Sequence, residues 1–460
     1  MKILITGATG LIGRVLSVKL LEAGHDLVIL SRNAERARNS LALPAKYFSW
    51  QPETSTPPPE ALLALDGVVH LAGESVMANR WNEARKKNIR DSRVLGTKNL
   101  VQGLQAIQGK RPEVFIAGSA VGIYGNRGDE VLNEESPAGE GFLAEVCKDW
   151  EAEGEKAATD GVRVVHLRTG VVFSTQGGAL RQLADIFQAG FGSPVGSGKQ
   201  WLSWVHIDDH VAIIVEALKN PGIRGPVNAT APEPATNYEL SRLLAKTLRR
   251  ALLPRVPAPA LRLVLGEMAT EALSSARIFP RRMLTAGFQF AHPSLEPALV
   301  SLLRGQDGKV SDEFSMVQWV PKPLREVFTF FGDERNLEAL TPAWLNFQVL
   351  GKSTASLQSG SLIDYRLKLH GFPVRWQSRI DRWEPPKLFS DTQMRGPYSY
   401  WEHTHYFSEL RGGTLIRDNV RYRLPGGILG KGVAGRWIRK DLEKIFGFRK
   451  KTITEVFGRD

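Results

Sequence analysis

The sequence contains a single cysteine, Cys147, among its 460 residues. One thiol cannot form an internal disulfide, which excludes a disulfide-stabilised secreted domain and favours a reducing compartment. No apolar run approaches the ~18 residues that a membrane-spanning helix needs. Residues 1–7 predict a strand and a turn, which leaves no room for a signal peptide. We therefore expect a cytoplasmic protein without a transmembrane segment.

Positive charge is in moderate excess over negative charge. The formal net charge is +12, while 42% of the residues are hydrophobic and 23% are charged. This balance is typical of soluble globular proteins that bury large cores. The basic residues are scattered and accompany no recognised nucleic-acid motif, so we predict a small-molecule substrate and no nucleic-acid partner.

Short apolar runs alternate with amphipathic stretches in the first part of the chain. Residues 2–5, 27–30 and 114–117 read as buried strands, and helices are predicted at about 81–107 and 142–158. Strands that alternate with helices indicate an α/β fold with a doubly wound parallel sheet. A chain of this length is expected to form two or three domains.

Two changes in composition predict the domain boundaries. Prolines become frequent after residue 221, which favours a small C-terminal extension at about 225–303 and a first domain at 1–303. Residues 304–313 are polar and contain glycine, as is typical of a linker. A second domain is then expected at 314–460.

The strongest motif is a glycine-rich turn, T-G-A-T-G-L-I-G, at residues 6–13. Gly7 permits a tight turn, Gly10 lets the backbone approach a pyrophosphate, and Gly13 allows close packing of a helix on a strand. The helix N-terminus presents free N–H groups and a partial positive charge to phosphates. The motif predicts a Rossmann-type dinucleotide site. Its expected cofactor-binding residues are Gly7, Thr9, Gly10, Leu11, Ile12 and Gly13.

The end of the second predicted strand indicates which dinucleotide is bound. An NAD site places Asp or Glu there for the ribose hydroxyls, whereas this sequence has Ser31 and Arg32. The guanidinium of Arg32 can pair with a 2′-phosphate, and Arg14 and Arg36 are candidates to assist it. NADP is therefore predicted over NAD.

These motifs resemble the extended short-chain dehydrogenase/reductase superfamily, the relatives of sugar-nucleotide epimerases. The resemblance is carried by Leu71-Ala72-Gly73, Gly118-Ser119-Ala120 with Tyr124-Gly125, and residues 167–172. A narrower likeness over residues 1–303, to "epimerase family" oxidoreductase-like proteins, is carried by Trp81-Asn82, Ser92-Arg93 and residues 71–74, 146–151, 204–209, 257–262 and 286–288. The resemblance implies further cofactor-binding roles for Leu71, Ala72, Gly73, Arg93, Lys148 and Val172. Arg93 is expected to contact the nicotinamide-side phosphate or an acidic substrate.

The superfamily uses Ser, Tyr and Lys, with the tyrosine as the general acid or base. Ser119 and Lys148 match the serine and the lysine, but the tyrosine position is Ala144. Three interpretations stay open. Another group supplies the proton, or hydride transfer proceeds without a phenol, or the site binds NADP without chemistry. The candidate proton donors are Tyr124, Glu74, Glu145 and His206, and Tyr124 is placed with Ser119 and Lys148 in the catalytic set.

His206 precedes Asp208 and Asp209, a grouping that fits either an acid/base pair or a cap at a strand-to-helix junction. We favour the cap, with Asp208 as the capping residue, and predict no metal site. Trp201 and Trp204 are either an apolar wall over the substrate or core residues.

Residues 314–458 resemble the START-like, helix-grip superfamily (SRPBCC), which includes polyketide cyclases. The resemblance rests on Val320-Pro321, Val327-Phe328, Phe330-Phe331 and Leu340-Thr341-Pro342. It implies an α+β domain in which strands at about 345–424 wrap around a basic terminal helix at about 436–457, after a glycine-rich break at 426–435. A hydrophobic ligand is expected in an apolar cavity whose candidate liners are Phe347, Tyr365, Trp376, Trp383, Tyr398, Tyr400 and Trp401.

The basic residues of the predicted terminal helix either form a solvated face or touch an acidic membrane surface. They are Arg436, Arg439, Lys440, Lys444, Arg449, Lys450 and Lys451.

Two functions compete. The first is an NADP(H)-dependent oxidoreductase or epimerase-like enzyme, with the second domain holding an apolar substrate. The retained Ser119 and Lys148 favour it. The second is a catalytically silent protein that senses NADP(H), which the missing tyrosine favours. Some relatives of the narrower group carry a cell-division-inhibitor label, which the motifs of this sequence do not explain.

Overall fold

The computed structural model describes residues 1–77, 80–159, 161–305, 307–425 and 427–458, with backbone alone for 427–434 and 436. The chain divides into two compact units. The first comprises Met1–Ser40 and Ala45–Leu302, and the second comprises Leu41–Pro44 and Leu303–Asp460.

Strands of the first unit build one large sheet and several two-stranded pairs. They are β1 (Lys2–Thr6), β2 (Asp26–Ser31), β3 (Lys46–Ser49), β4 (Gly67–His70), β5 (Val114–Ala120), β6 (Val131–Leu132), β7 (Arg163–Thr169), β8 (Val171–Phe173), β9 (Trp201–Leu202), β10 (Trp204–His206), β11 (Gly225–Ala229), β12 (Ala235–Thr236) and β13 (Arg277–Ile278). The large sheet has the order β11-β7-β5-β4-β1-β2-β3, and all its neighbouring strands are parallel. This confirms the predicted doubly wound parallel sheet.

The order of the sheet also locates a binding crevice. The chain moves outward from β1 through β2 to β3, and then returns to place β4 on the other side of β1. Ligands of such sheets bind outside the carboxyl ends of the strands at this reversal. Here those ends are Thr6 and His70.

The helices of the first unit connect these strands. They are α1 (Leu11–Glu22), α2 (Ala34–Leu41), α3 (Pro59–Leu62), α4 (Glu83–Ala106), α5 (Phe142–Glu155), α6 (Gly178–Gln188), α7 (Ile207–Lys219), α8 (Asn237–Leu248), α9 (Ala258–Leu265), α10 (Ala269–Leu273), α11 (Arg281–Thr285) and α12 (Leu295–Leu303), with 3₁₀ turns at Val121–Tyr124 and Gly266–Met268.

The two long predicted helices exist with tighter bounds. α4 begins at Glu83 because the Asn82 side chain accepts a hydrogen bond from the Arg85 N–H at 2.8 Å. α5 ends at Glu155, three residues before the predicted end.

The strands of the large sheet are apolar because helices cover both faces. Leu4, Val68 and Phe115 are fully buried, and α4 contributes Leu100 and Leu104 to the same cluster. Helix α1 approaches the sheet closely at Gly13, where an added Cβ would lie 2.3 Å from the carbonyl oxygen of Gly7. Only glycine fits there without a shift of the backbone.

The second unit contains an antiparallel sheet and a long helix. Its strands are β14 (Asp312–Val320), β15 (Gln348–Lys352), β16 (Leu362–Leu369), β17 (Phe372–Glu384), β18 (Leu388–Arg395), β19 (Tyr400–Leu410) and β20 (Gly413–Arg423). Its helices are α13 (Leu324–Phe331), α14 (Asn336–Ala339) and α15 (Gly427–Phe457), with a 3₁₀ turn at Ala343–Leu345. The sheet has the order β14-β20-β19-β18-β17-β16-β15.

Helix α15 packs on this sheet. Leu442 and Phe446 cluster with Val420 and Tyr422, and Ile453 joins a second cluster with Val320 and Phe407. The glycine-rich break predicted at 426–435 is wrong for residues 427–435, which belong to α15. Each glycine weakens a helix by about 1 kcal/mol, but contacts elsewhere along a helix override so local a preference. Residue 426 lies outside the described residues. No helix in the described part of the chain is both long and apolar enough to cross a bilayer.

Two basic residues of α15 point toward the sheet rather than into solvent. The guanidinium of Arg449 lies 3.9 Å from Asp418, and the Lys450 ammonium donates to the Val317 carbonyl at 3.3 Å. The side chain of Arg436, also expected on the basic face, lies outside the described residues. Fewer basic residues of α15 therefore face solvent than its sequence predicts.

Most of the predicted aromatic liners pack against one another. The ring centroids of Phe347 and Tyr365 are 5.2 Å apart, and those of Trp376 and Trp401 are 5.3 Å apart. A pocket of about 470 Å³ does open beside Tyr365 and Trp376. Its other lining residues are mainly polar, including Lys352, Asp364, Arg375, Gln377 and Arg395.

We predict that Gly13→Ala destabilises the first unit by about 1–3 kcal/mol, because the new methyl group overlaps the Gly7 carbonyl. The measurement is the midpoint of thermal unfolding of the full chain. Gly177→Ala is the matched control, since its added Cβ would meet nothing closer than 3.7 Å. Equal midpoints for the two variants would contradict the packing argument.

Candidate active site at the strand reversal

The glycine-rich turn lies directly against the segment that follows β4. Gly7 has φ +73°, and an added Cβ would lie 2.8 Å from the Leu71 carbonyl carbon and 2.9 Å from the Ala72 nitrogen. Gly10 is the N-cap of α1 and supplies no side-chain hydrogen bond to it. The N–H groups of the first turn, at Leu11, Ile12 and Gly13, are thus free of a side-chain cap and available to an anion.

A buried chain of hydrogen bonds joins β1, β4 and α4 beneath this turn. The Thr6 hydroxyl lies 2.7 Å from His70 Nδ1 and also accepts from the Ala72 N–H at 3.1 Å. The other ring nitrogen of His70 lies 3.0 Å from the Thr97 hydroxyl. Burial lowers the pKa of His70 to about 4, so its ring is neutral at pH 7. The network fixes where the loop after β4 begins.

Arg93 of α4 holds that same loop. One nitrogen, Nη1, donates to the Glu74 carbonyl and to the Ile89 carbonyl, both at 3.0 Å. The guanidinium also lies over the Trp150 ring at 5.2 Å, and a Cβ on Gly73 would come within 3.3 Å of it. Burial lowers the pKa of Arg93. The structure thus brings Leu71, Ala72, Gly73 and Arg93 together, and gives Arg93 a role in positioning the loop.

The opposite side of the turn is formed by the segment after β8. An added Cβ at Gly178 would lie 3.3 Å from a methyl group of Leu11 and 3.5 Å from the Val172 carbonyl oxygen. Gly178 therefore lies beside two of the predicted cofactor-binding residues, which are far apart in sequence.

The end of β2 presents an exposed cation. Ser31 closes the strand, and the Arg32 side chain is exposed without a hydrogen bond or ion pair among the described residues. Arg14 is occupied instead: its guanidinium donates to the Thr9 carbonyl at 2.9 Å and to the Ser40 hydroxyl at 2.6 Å. Of these arginines, Arg32 is the better placed to meet a ligand.

Ser119, at the end of β5, takes part in a buried ionic network. Its hydroxyl donates to Glu151 Oε1 at 2.6 Å. Arg168 of β7 binds the same carboxylate through two nitrogens, both at 2.9 Å. Burial works against the charge of Arg168, but the bonds to Glu151 raise its pKa well above the ordinary value. Ser119 is therefore held by an ionised pair.

Tyr124 lies inside this network rather than at an opening. Its hydroxyl accepts from Arg168 at 2.9 Å and faces the Asn228 amide oxygen at 2.8 Å and the Asn133 carbonyl at 3.0 Å. The residue is fully buried, and burial raises the pKa of its phenol. A catalytic role for Tyr124 stays a prediction, and its three partners and full burial do not favour proton exchange with a substrate.

Helix α5 carries the other two positions of the superfamily triad. Ala144, at the position of the usual tyrosine, is buried. Lys148 is exposed, and its ammonium lies 3.5 Å from the Gly139 carbonyl. Cys147 is buried beside them, and burial raises the pKa of its thiol to about 12. Lys148 alone of these three can meet a ligand as a charge.

The remaining candidate proton donors differ in accessibility. Glu74 forms an ion pair with Arg85 at 2.8 Å, while Glu145 is exposed at the start of α5. His206 caps α7 with its own ring: Nδ1 accepts from the Asp208 N–H at 3.1 Å. The capping residue is thus His206, and the prediction of Asp208 is wrong. Trp204 is fully buried, so it is a core residue and not a wall over the substrate.

Sequence reasoning missed Glu151 and Arg168 as a pair. Both stand in segments that carried the family resemblance, but the contact joins helix α5 to strand β7 and has no local spacing rule. The signal was an arginine at the end of an otherwise apolar strand, which needs a carboxylate partner when buried.

The sequence of the first unit matches known families along most of its length. Residues 3–229 match the model of the NAD dependent epimerase/dehydratase family. Residues 256–302 match a domain of unknown function, DUF1731. An epimerase family protein of Mycobacterium bovis is 38% identical over 296 residues, which cover 64% of this chain and 95% of that protein. This chain belongs to the epimerase family.

Solved structures agree with this assignment. The human epimerase family protein SDR39U1, solved with NADPH, is 30% identical, with a TM-score of 0.59 over 66% of this chain and 99% of that chain. A nucleoside-diphosphate sugar epimerase from Corynebacterium glutamicum is 36% identical, with a TM-score of 0.54 over 66% of this chain and 58% of that chain. The family resemblance predicted for the first domain is confirmed.

Removing the carboxylate of Glu151 is expected to destabilise the first unit strongly. In Glu151→Gln the guanidinium of Arg168, whose side chain is 9% exposed, loses its ionised partner. Leaving a buried charge unpaired costs about 3–5 kcal/mol. Glu130→Gln breaks an exposed pair with Arg127 and should cost at most about 1 kcal/mol. Chemical denaturation at pH 7 measures both, and a cost for Glu151→Gln as small as that of the control would contradict the prediction.

Acid should destabilise the fold through His70. Its pKa is about 4 when folded and 6.5 when unfolded, so only the unfolded chain binds the proton between these values. Stability is therefore complete above pH 6.5 and falls as the pH drops toward 4, by about 2 kcal/mol at pH 5 from this residue. We expect His70→Gln to lose about 2 kcal/mol less than wild type between pH 7 and pH 5 in denaturant titrations. If wild type and His70→Gln lose the same stability between pH 7 and pH 5, His70 is excluded as the cause.

Proposed function

We propose that the first unit binds NADP(H) and acts as an oxidoreductase or epimerase-like enzyme on a small-molecule substrate. The observation that carries the proposal is the uncapped N-terminus of α1, enclosed by glycines at the carboxyl ends of β1 and β4. The NADPH held by the human relative supports the choice of cofactor. So does Arg32, a cation at the end of β2 where an NAD site has a carboxylate.

The residues present fit this cofactor. Gly7 and Gly13 let the backbone of the turn pack closely against its neighbours, and Leu11, Ile12 and Gly13 offer backbone N–H groups to the pyrophosphate. Arg32 would pair with the 2′-phosphate. By the family resemblance, Leu71, Ala72 and Gly73 would lie on the adenine side, Lys148 at the nicotinamide ribose and Val172 near the nicotinamide ring.

The cofactor, when bound, supplies the hydride chemistry, and the protein supplies orientation and proton control. The Ser119 hydroxyl already donates its proton to Glu151. Its remaining lone pairs can only accept, so Ser119 is suited to receive a hydrogen bond from a substrate hydroxyl rather than to donate one to a carbonyl. This polarity favours an alcohol as the substrate form bound at Ser119. Glu74 and Glu145 remain candidates for moving the proton.

A second function is favoured by one observation. The position of the usual phenol is Ala144, and Tyr124 is sealed within the ionic network. A protein that binds NADP(H) without turnover and reports its redox state fits these facts as well. The exposed Lys148 favours the enzyme, since a cation at that position serves the reacting end of the cofactor.

For the second unit we propose the helix-grip fold of the START-like superfamily. The supporting observation is the order of elements: a strand, two short helices, six antiparallel strands and a long helix packed on the sheet. A hydrophobic ligand remains a prediction, and the ring contacts Phe347–Tyr365 and Trp376–Trp401 do not favour an open aromatic cavity. Cytoplasmic localisation likewise remains a prediction.

We predict that wild type binds NADPH much more tightly than NADH, and that Arg32→Ala loses 10- to 100-fold in NADPH affinity. That range corresponds to about 1.5–3 kcal/mol for a hydrogen bond between charged groups. Calorimetry with both nucleotides measures it. Arg38→Ala is the control, because this residue of α2 stacks on Tyr47 instead. Equal affinities for the two nucleotides in wild type would refute the NADP assignment.

Turnover distinguishes the two functions. NADPH oxidation over a broad carbonyl panel, and NADP⁺ reduction over the matching alcohols, should reveal a substrate whose conversion drops by at least 100-fold in Lys148→Ala. Lys156→Ala, an exposed lysine just after the same helix, should keep full activity. Tight NADPH binding with no conversion across both panels would favour the sensor.

A further inference from the structure

The sheet of the second unit carries a polar cluster on the face that meets α15. Asp391 of β18 is paired in register with His403 of β19, and His405 is paired with Asp418 of β20. Residues two apart on a strand share a face, so His403 and His405 lie on the same side as the apolar Phe407. Four groups able to bind a metal thus converge from three adjacent strands.

The cluster is tightly packed. The side chains of His403, His405 and Asp418 are 8%, 4% and 1% exposed. His403 Nε2 lies 3.0 Å from Asp418 Oδ1, in hydrogen-bond geometry. His405 Nδ1 lies 2.6 Å from the same oxygen. One oxygen of Asp418 thus holds both imidazoles close together.

The charges of the cluster are also incompletely balanced. Asp418 has a cation nearby, since Arg449 Nη1 lies 3.9 Å from it. Asp391 accepts from the Ser378 hydroxyl at 2.9 Å and has no ion pair with a basic side chain among the described residues.

We propose that Asp391, His403 and His405 form a binding site for a divalent first-row transition metal ion. One ligand atom from each of the three lies within 4.8 Å of the others. Metal–ligand bonds of about 2.0–2.2 Å require these atoms to close by a distance on the order of 1 Å. Two imidazoles and a carboxylate suit Zn²⁺, Co²⁺ or Fe²⁺ and disfavour Ca²⁺ or Mg²⁺. Asp418 orients the His403 ring, as second carboxylates do in known metal sites.

The pocket of about 470 Å³ is linked to the proposed site by two hydrogen bonds through Ser378. Tyr365 and Trp376 line the pocket, and Trp376 Nε1 donates to the Ser378 hydroxyl at 3.1 Å. Ser378 in turn donates to Asp391. The Ser378 side chain thus bridges one lining residue of the pocket, Trp376, and the proposed ligand Asp391. An ion with three protein ligands and a pocket beside it would keep a coordination position for water or a small ligand.

A second group with metal-ligating side chains lies in the first unit, at His206, Asp208 and His292. Its properties are less favourable: Asp208 is 65% exposed, and His206 already uses Nδ1 as a helix cap. This group carries no proposal and serves as the internal control.

The test is titration of the chelator-treated full chain with Co²⁺, followed by visible absorption and by competition with Zn²⁺. We expect one tightly bound ion per chain, with affinity reduced at least 10-fold in Asp391→Asn and in His405→Gln. His292→Gln, in the first unit, and His370→Gln, an exposed partner of Asp441, should bind as wild type does. Circular dichroism checks that each variant folds. If His405→Gln fails to fold, the Co²⁺ affinity of Asp391→Asn, a substitution of equal size, tests the proposal alone.

Absence of binding in folded wild type would overturn the proposal. So would binding that persists in Asp391→Asn, or that disappears in His292→Gln. None of these outcomes depends on NADP(H) binding by the first unit.

Discussion

The turn at Gly7, the start of α1 at Gly13 and the loop at Leu71 pack backbone against backbone at the carboxyl ends of β1 and β4. The rest of the site depends on this close packing. It is possible only because Gly7 and Gly13 have no side chains. The same contact directs the N-terminus of α1 toward the crevice and brings the loop after β4 under the control of Arg93. The neutral, buried ring of His70 supports this packing. The same contacts therefore form both the candidate binding surface and part of the buried core.

Local patterns predicted most of the first unit. The glycine turn, the apolar strands and the ends of α4 follow from residues that are neighbours in sequence, and each was found within a few positions. The network of Ser119, Glu151 and Arg168 follows from no such pattern, because three separate elements contribute to it. The sequence offers Tyr124 as one candidate proton donor, but it does not show that the ring points into the core.

The second unit shows the same limit for a different reason. Its strands were predicted from aromatic runs, yet the aromatic residues were interpreted as the lining of a cavity. The alternation Trp401, His403, His405, Phe407 has the period of a strand and places two imidazoles on an apolar face. That pattern was available in the sequence. The sequence does not show that His403 lies opposite Asp391 and His405 opposite Asp418. Only the register of the folded sheet shows these pairs.

The buried thiol of Cys147 has a use that follows from its place on α5. With its pKa near 12 and its side chain enclosed by Ile123, Tyr124 and Leu132, it cannot react with an alkylating reagent while the helix is closed. The chain contains no other cysteine. Labelling therefore counts the openings of one helix, the helix that also carries Lys148 and Glu151. The rate of modification therefore reports how often α5 opens, and a ligand that stabilises α5 is expected to slow it.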